Sequence, residues 1–402
     1  MTEERGNRWR FDLEDRFVYA DNAATTAVAP EAIAAMTPYL TEHWGNPSSM
    51  YSKGRDARRG LDDARERVAN ALGAMPNEIY FTSGGTEADN WALKGGARFM
   101  RKKYGRCHVI TSAIEHPAVL RSCEALEREG FRVTYVSVRE NGIIDMDKLK
   151  SALDDDTAIV AVMYANNEIG TIQPIEEIAK LAHEKGAIMF TDAVQAVGSI
   201  PVNVKSLGVD MLALSGHKFG APKGIGALFI RRGLKIEKYI DGGGQERMMR
   251  SGTENLAGIV ALATALELAI SRLSDMDRIR AMRDRLADYI MTNIPHTIYN
   301  GDREHRLPGN LNISFEYIEG ESLLLLLDMA GICISTGSAC SSNSLEPSHV
   351  LLAIGLPAEK AHGSMRVSLS HGNTDEDVDY IIDKLPGIVS RLRAMSPIYP
   401  GK

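Results

Sequence analysis

Between about Glu78 and Ile230 the sequence alternates short apolar runs with segments of helical length, and this rhythm constrains the fold more than any other feature. Continuous apolar runs suit strands covered on both faces, the situation of parallel strands joined by crossover helices. The candidate strands are Ile79-Phe81, His108-Thr111, Arg132-Val136, Ala158-Met163, Ile188-Thr191, Met211-Ser215 and Gly226-Ile230. They predict an α/β fold around a largely parallel sheet, and such sheets bind ligands beyond the carboxyl ends of their strands. A Gly-rich stretch from Gly242 to Gly252 breaks the rhythm, and a long helix-like segment follows from about Leu256 through Asn293. A second unit is expected beyond it, with a strand at Asn310-Phe315, a helix from Glu321, a strand near Ile332-Ser335, a Ser/Gly-rich loop around Cys340 and a strand at Arg366-Leu369. A chain of 402 residues has room for two or three such units.

Charge and composition exclude several classes. The net charge of -7 comes without a concentrated basic stripe, so no nucleic-acid partner is expected, and Arg55, Arg58 and Arg59 read as a solvated helix face. The longest apolar run, Leu323 to Leu327, is too short for a bilayer, so no membrane association is expected. Met1 to Arg10 mixes Glu with Arg and lacks the apolar centre of a signal peptide. Four scattered cysteines, Cys107, Cys123, Cys333 and Cys340, do not make a disulfide framework, which points to a reducing, cytoplasmic setting. Cys107 beside His108 has no second ligand pair nearby, so no metal is expected.

Three strand ends carry chemistry. In Phe81-Thr82-Ser83-Gly84-Gly85-Thr86-Glu87 a strand runs through small residues into a helix, a geometry that turns free amides and the helix dipole towards one spot and suits a phosphate. Such connections are more often plain tight turns. Asp192, after Phe190-Thr191, is either a helix N-cap or a carboxylate that holds a protonated pyridine nitrogen. In Leu214-Ser215-Gly216-His217-Lys218 a lysine follows another strand, with Ser215 and His217 close by to donate hydrogen bonds. Most lysines are solvated surface charges. A lysine at the mouth of the sheet, beside a phosphate turn and an acid, has instead the means to form a Schiff base with pyridoxal 5′-phosphate (PLP).

These residues belong to a longer series: Asp21-Asn22-Ala23-Ala24-Thr25-Thr26, Gly45-Asn46-Pro47-Ser48-Ser49, Glu115-His116-Pro117-Ala118-Val119, Ala165-Asn166-Asn167-Glu168-Ile169-Gly170, Thr191-Asp192-Ala193-Val194-Gln195, Ser215-Gly216-His217-Lys218, Gly242-Gly243-Gly244-Gln245-Glu246, Ser251-Gly252-Thr253-Glu254-Asn255 and Ser335-Thr336-Gly337-Ser338-Ala339-Cys340. The series resembles the NifS/IscS cysteine desulfurases over nearly the whole chain. The long small-residue segment around Cys340, followed by Leu345-Glu346-Pro347-Ser348-His349-Val350, is similar to the long-loop group.

The resemblance implies a PLP-dependent transferase of fold-type I, aspartate aminotransferase-like, with a large domain at 25–258 and a small domain made of 1–24 and 259–402. A mainly parallel seven-stranded sheet would form the large domain. By the same resemblance, Lys218 would hold the cofactor and then move protons, His116 would stack on the ring, and Asp192 would pair with the ring nitrogen. Asn167 and Gln195 would lie near the phenolic oxygen. Gly85, Thr86, Ser215 and His217 would hold the phosphate, joined by Thr253 from a second copy of a homodimer. Arg366, assisted by Asn22 and Asn167, would clamp the carboxylate of L-cysteine, a task that suits the guanidinium fork. Small residues on both sides leave Cys340 in an accessible loop, unlike Cys107, Cys123 and Cys333, whose segments read as ordinary core. Cys340 would take the substrate's sulfur as a persulfide, with His116 or the cofactor adduct accepting its proton, and deliver it to a NifU/IscU-like iron-sulfur scaffold. The chain departs from the pattern at Ser370-His371-Gly372-Asn373, where the resemblance leads one to expect an arginine followed by an aromatic residue.

Overall fold

The computed structural model describes residues 16–336 and 346–400. In chain order the described strands are β1 (Val18–Tyr19), β2 (Ile79–Thr82), β3 (His108–Ser112), β4 (Arg132–Val136), β5 (Thr157–Ala161), β6 (Ile188–Asp192), β7 (Met211–Ser215), β8 (Gly226–Ile230), β9 (Thr297–Tyr299), β10 (Asn310–Phe315), β11 (Ile332–Cys333) and β12 (Ser364–Ser368). Seven of them form one sheet in the order β2-β8-β7-β6-β5-β3-β4. Only β8 runs against its neighbours in that sheet, so β2, β3, β5, β6 and β7 all end on the same edge. Each strand predicted for this sheet forms, with ends shifted by at most one or two residues.

The alternation within these strands explains why their sequences read as unbroken apolar runs. Val160, Met189, Leu212 and Leu214 face one side and pack with the helices Ser52–Leu72, Ile175–Glu184 and Leu256–Ser271. Ile159, Ala161, Ile188, Phe190, Met211 and Ala213 face the other and pack under the helices Gly85–Tyr104 and Pro117–Arg128. A strand between two helical layers has no polar face to alternate. Each fully buried Leu, Ile or Phe contributes roughly 1.5–3 kcal/mol. The helix Gly85–Tyr104 lies close on the sheet because of Gly96, where an added Cβ would sit 3.3 Å from both Ile159 Cδ1 and Met211 Cε.

The remaining elements form a second apolar cluster. The antiparallel strands β12, β10 and β9 pack with the helices Met276–Asn293, Gly320–Met329 and Asp375–Met395, and the parallel pair β1–β11 lies beside them. The continuous helix expected from Leu256 through Asn293 is in fact two, Leu256–Ser271 and Met276–Asn293, meeting at a 42° bend around the short turn Leu273–Asp275. The reason is a change of core. Leu256, Ile259, Leu262 and Leu266 belong to the first cluster, whereas Ile279, Met282, Leu286 and Ile290 belong to the second. Among the described residues no single helix is long and apolar enough to cross a membrane. Two cysteines differ from the ordinary core expected of them: Cys123 is buried, but Cys107 and Cys333 are only partly so, because each lies at a strand end.

The N-terminal strand links the two clusters. β1 pairs with β11, Asp21 bridges to Ser368, and the chain then crosses to the large sheet, where the amide and hydroxyl of Thr26 both donate to His217 O at 3.0 Å.

Candidate active site

The predicted phosphate turn begins where β2 ends. Gly84 is the N-cap of the helix Gly85–Tyr104 at φ 154°, ψ -177°, a backbone state nearly confined to glycine. At Gly85 a Cβ would lie 2.7 Å from Val194 Cγ2, so only glycine keeps the helix end open there. The Thr82 hydroxyl donates to Gly84 O, and Glu87 Oε2 accepts from the Ser83 amide at 2.8 Å. Arg250 in turn grips Glu87 through two hydrogen bonds of 2.7 and 3.1 Å. The first helical amides, at Gly85 and Thr86, have no i−4 carbonyl to bond. Ser215, at the end of β7, stands against this turn, its Oγ 3.7 Å from where a Gly84 Cβ would be.

Lys218 follows on the short turn Gly216–Lys218, and its Nζ donates to Ala23 O at 2.6 Å and Ala24 O at 2.8 Å. Ala23 O also accepts from Gln195 Nε2 at 2.9 Å, so one backbone carbonyl of the Asp21–Thr26 segment aligns two predicted site residues. His217 Nδ1 lies 3.2 Å from Thr25 Oγ1, and burial, with the charges of Lys218 and Lys223, pulls its pKa down to about 4. Asp192, buried at the end of β6, caps no helix, because a turn and not a helix follows it; its Oδ1 accepts from the Val194 amide within that turn. Burial pushes its pKa up to about 6, against the pull of that amide and of Lys218.

His116 caps the helix Pro117–Arg128, its Nδ1 accepting from the Ala118 amide at 3.1 Å. Burial, then Lys218 and His349, pull its pKa down to about 4, so the ring is neutral at pH 7. With the Nδ1 lone pair engaged, the ring proton sits on Nε2. His116 is therefore set up to donate a hydrogen bond from Nε2, and accepting a proton from a thiol would require giving up the helix cap.

Arg366 is no surface ion-pair partner. It is 2% exposed, held on β12 between β10 and a backbone bridge to Ser335. One terminal nitrogen donates to Asn167 O at 3.0 Å and the other to Asp21 Oδ1 at 2.7 Å, while Nε is buried without a partner. Asn167 thus contributes its backbone carbonyl. Asn22 directs its amide to Ser368 O at 2.8 Å and Asn373 Oδ1 at 3.4 Å, so it steadies the neighbouring strand. Asp21 holds the fork and was missed in the sequence, where nothing marks which distant cation an aspartate will meet. Arg366→Lys keeps the charge but loses the fork, and is expected to raise KM for L-cysteine about 10- to 100-fold. Steady-state kinetics with the cofactor's absorbance as control checks this; an unchanged KM removes Arg366 from substrate binding.

Three further residues anchor the segment that carries Cys340, which itself lies outside the described residues. Before it, Ser335 exchanges backbone hydrogen bonds of 3.1 and 2.7 Å with Arg366. After it, Ser348 caps a short helix and donates to buried Glu168, and His349 Nε2 lies 3.0 Å from Glu115 O. Burial pushes Glu168 up to about 7, although Ser348 and Arg366 act against this. Thr253 stands apart, on the exposed turn before the helix Leu256–Ser271. A cavity of about 560 Å³ opens on the other side of the Asp21–Thr26 segment. Lys218, Asn22 and Gln195 line it but Asp192, His116 and Ser215 do not, so it adjoins the strand-end site and is not the site itself.

Residues 18–381 match the aminotransferase class-V family. The cysteine desulfurase IscS of Methanosarcina thermophila is 54% identical over 388 residues, 96% of this chain and 95% of that protein. IscS of Clostridium botulinum strain Hall is 52% identical over 385 residues, 95% of this chain and 96% of that protein. A solved NifS-like protein superposes with a TM-score of 0.88 at 40% identity, covering 94% of this chain and 100% of that one. The strand-end residues fit the cofactor these enzymes use: an open helix N-terminus for a phosphate, a buried carboxyl for a ring nitrogen and a lysine between them. The chain belongs to the aminotransferase class-V family and, within it, to the PLP-dependent cysteine desulfurases of the IscS/NifS kind.

Proposed function

We propose that this enzyme converts L-cysteine to L-alanine and holds the released sulfur as a persulfide on Cys340 for iron-sulfur cluster assembly. One observation carries the role of Cys340: the chain on either side of its segment is tied to Arg366 and to Glu115, the neighbour of His116. A fully extended chain gains only about 3.3–3.6 Å per residue, so these two anchors limit how far from the site the chain between them can extend.

When bound, PLP supplies an electron sink that stores the charge left at the substrate's α-carbon and weakens its C–S bond. The chain supplies the rest. Arg366 fixes the substrate carboxylate, with its buried Nε and one terminal nitrogen free to re-aim from Asn167 O. Lys218 Nζ carries the α-proton, starting beside the carbonyls of Ala23 and Ala24. Asp192 would pair with the ring nitrogen, Gln195 and Asn167 would lie near the phenolic oxygen, and Gly85, Thr86, Ser215 and His217 would hold the phosphate. His116 Nε2–H donates to the departing side. The Cys340 thiolate attacks the substrate sulfur; an S–S bond forms, the Cβ–S bond breaks, and its electron pair stays with carbon, which takes a proton to become the alanine methyl group. Sulfur is oxidised by the amount that carbon is reduced, so no external oxidant is needed.

The working form is a homodimer in which exposed Thr253 reaches the phosphate of the other copy. The setting is the cytoplasm and the acceptor a NifU/IscU-like scaffold. For the domain division at 25–258, the packing of the helix Leu256–Ser271 into the first apolar cluster supports moving the boundary to the bend that follows it. The test is to incubate the purified holoenzyme with L-cysteine, quantify alanine and sulfide, and map the persulfide by mass spectrometry. Without a reductant, alanine is expected with the added sulfur on Cys340, and with excess dithiothreitol, which reduces the persulfide, alanine and sulfide are expected in equal amounts; a persulfide on another cysteine, or no alanine, overturns the assignment.

A further inference from the structure

The residues read as holding the cofactor's phosphate bring no full positive charge. Gly85 and Thr86 offer amides, Thr86 and Ser215 hydroxyls, and burial, with the charges of Lys218 and Lys223, keeps the His217 imidazole neutral. A phosphate ester carries about -1.5 to -2 charges at neutral pH, so any charge beside the turn bears on how firmly it is held. One acid stands there. Glu87 follows Thr86 directly, and its side chain, 11% exposed, reaches back over the turn to accept from the Ser83 amide at 2.8 Å. Burial opposes its ionisation, but the bonds from Arg250 and Ser83 outweigh this and hold its pKa below the ordinary carboxylate range. A carboxylate and a phosphate in this place draw on the same positive helix end.

Arg250 meets that charge with a two-pronged ion pair, Nε to Oε1 at 2.7 Å and a terminal nitrogen to Oε2 at 3.1 Å, so both carboxylate oxygens are engaged. The arginine is itself held in place. Its neighbours Met249 and Ser251 form backbone hydrogen bonds of 3.1 and 3.2 Å with Tyr239 and Ile240. Four residues before it, buried Glu246 accepts two bonds from Arg65 and one from the Phe81 amide, which fastens this segment to β2, the strand that leads into the phosphate turn. We propose that Arg250 is a positioning residue for the cofactor's phosphate: by pairing with Glu87 it cancels the one carboxylate charge in the first turn of the helix Gly85–Tyr104 and leaves the amides of Gly85 and Thr86 to the phosphate. The proposal rests on the reading of this turn as the phosphate site.

Pyridoxal, which has a hydroxyl where PLP has its phosphate, separates this role from a merely structural one. Both compounds are titrated into the cofactor-free protein, and the absorbance of the imine on Lys218 reports binding. Arg250→Gln leaves the Glu87 charge unopposed, and is expected to weaken PLP about 10- to 100-fold while pyridoxal changes by less than about threefold. Arg250→Gln combined with Glu87→Gln removes both charges, and is expected to bring the preference for PLP over pyridoxal back to within about threefold of wild type. Glu87→Gln alone keeps an acceptor for the Ser83 amide and leaves Arg250 unopposed, so it is expected to strengthen that preference; it carries the test should Arg250→Gln fold poorly. The proposal is overturned if Arg250→Gln keeps the wild-type preference or loses PLP and pyridoxal equally, if the double variant is no better than Arg250→Gln, or if Glu87→Gln weakens the preference. In each of these cases the wild type still prefers PLP, and the reading of the phosphate turn stands. If the wild type binds PLP no more tightly than pyridoxal, the reading of the phosphate turn fails and the proposal with it.

Discussion

Lys218→Ala is expected to leave a folded protein that still binds PLP through its phosphate and ring contacts, yet turns over L-cysteine at least about 10⁴-fold more slowly. The side chain is only partly buried and bonds to two backbone carbonyls, so its removal leaves Ala23 O with Gln195 as a donor and opens no large cavity in the core. Catalysis loses two things together. The covalent anchor goes, and with it the amine proposed to carry the α-proton. A proton carrier alone is worth roughly 10²–10⁴ in rate. The loss also acts on Asp192, whose ionised form Lys218 favours. Removing that charge raises the carboxyl further above its ordinary value, so the variant's cofactor affinity is expected to fall off at higher pH than the wild type's does as pH is lowered. Absorbance spectra report cofactor binding and alanine assays report turnover. Activity within tenfold of wild type would remove Lys218 from the chemistry.

The sheet was legible because its signal is local: a strand covered on both faces must be apolar at every position, and a helix must follow each parallel strand. What blurred was the passage from one core to the next. Leu256 to Asn293 is apolar enough throughout to read as one helix, but its halves are buried against different partners. At the site, the turns carrying Gly85, Asp192, Ser215 and Lys218 stood out as places for chemistry because they follow strands of the sheet, whereas Arg366, in the middle of β12, was singled out by the resemblance alone. Asp21, Glu115, Glu168, Ser348 and His349 were not given roles. Their parts depend on contacts between residues far apart in sequence, such as Ser348 with Glu168 or Arg366 with Asp21. The carbonyls of Ala23, Ala24 and Asn167 leave no trace in side-chain identity at all. The departure at Ser370–Asn373 has a structural answer of the same long-range kind. Arg278, from the helix Met276–Asn293, donates to Asn373 O at 2.9 Å and to His371 O at 3.3 Å, so a guanidinium braces this turn from elsewhere in the chain.

Cys340→Ser is expected to lower alanine release from L-cysteine at least about 10³-fold while leaving the bound cofactor's absorbance as in wild type. A serine hydroxyl at neutral pH is neither ionised nor soft enough to take sulfur from carbon, whereas a thiol with an ordinary pKa of about 8.5 is partly thiolate. No other described thiol is placed to substitute. Cys123 is buried on the inner face of the helix Pro117–Arg128, and burial together with Glu115, Glu127 and Glu124 pushes its thiol up to about 12. Cys107 precedes β3 and so lies at the amino edge of the sheet, opposite the site. Burial and Asp328 raise the thiol of Cys333 on β11. The rate of the wild type is expected to rise with pH towards the ordinary thiol range, since the neutral His116 ring has its acceptor nitrogen engaged by the Ala118 amide and adds a donor instead. Two measurements separate the parts. Single-turnover alanine formation reads the attack on sulfur, and loss of the substrate's α-proton to solvent reads the work of Lys218. In Cys340→Ser the α-proton is expected to exchange at close to the wild-type rate while alanine fails to form, which places the block after proton removal and at the sulfur. Alanine formed by the variant at the wild-type rate would mean that carbon–sulfur cleavage proceeds without Cys340.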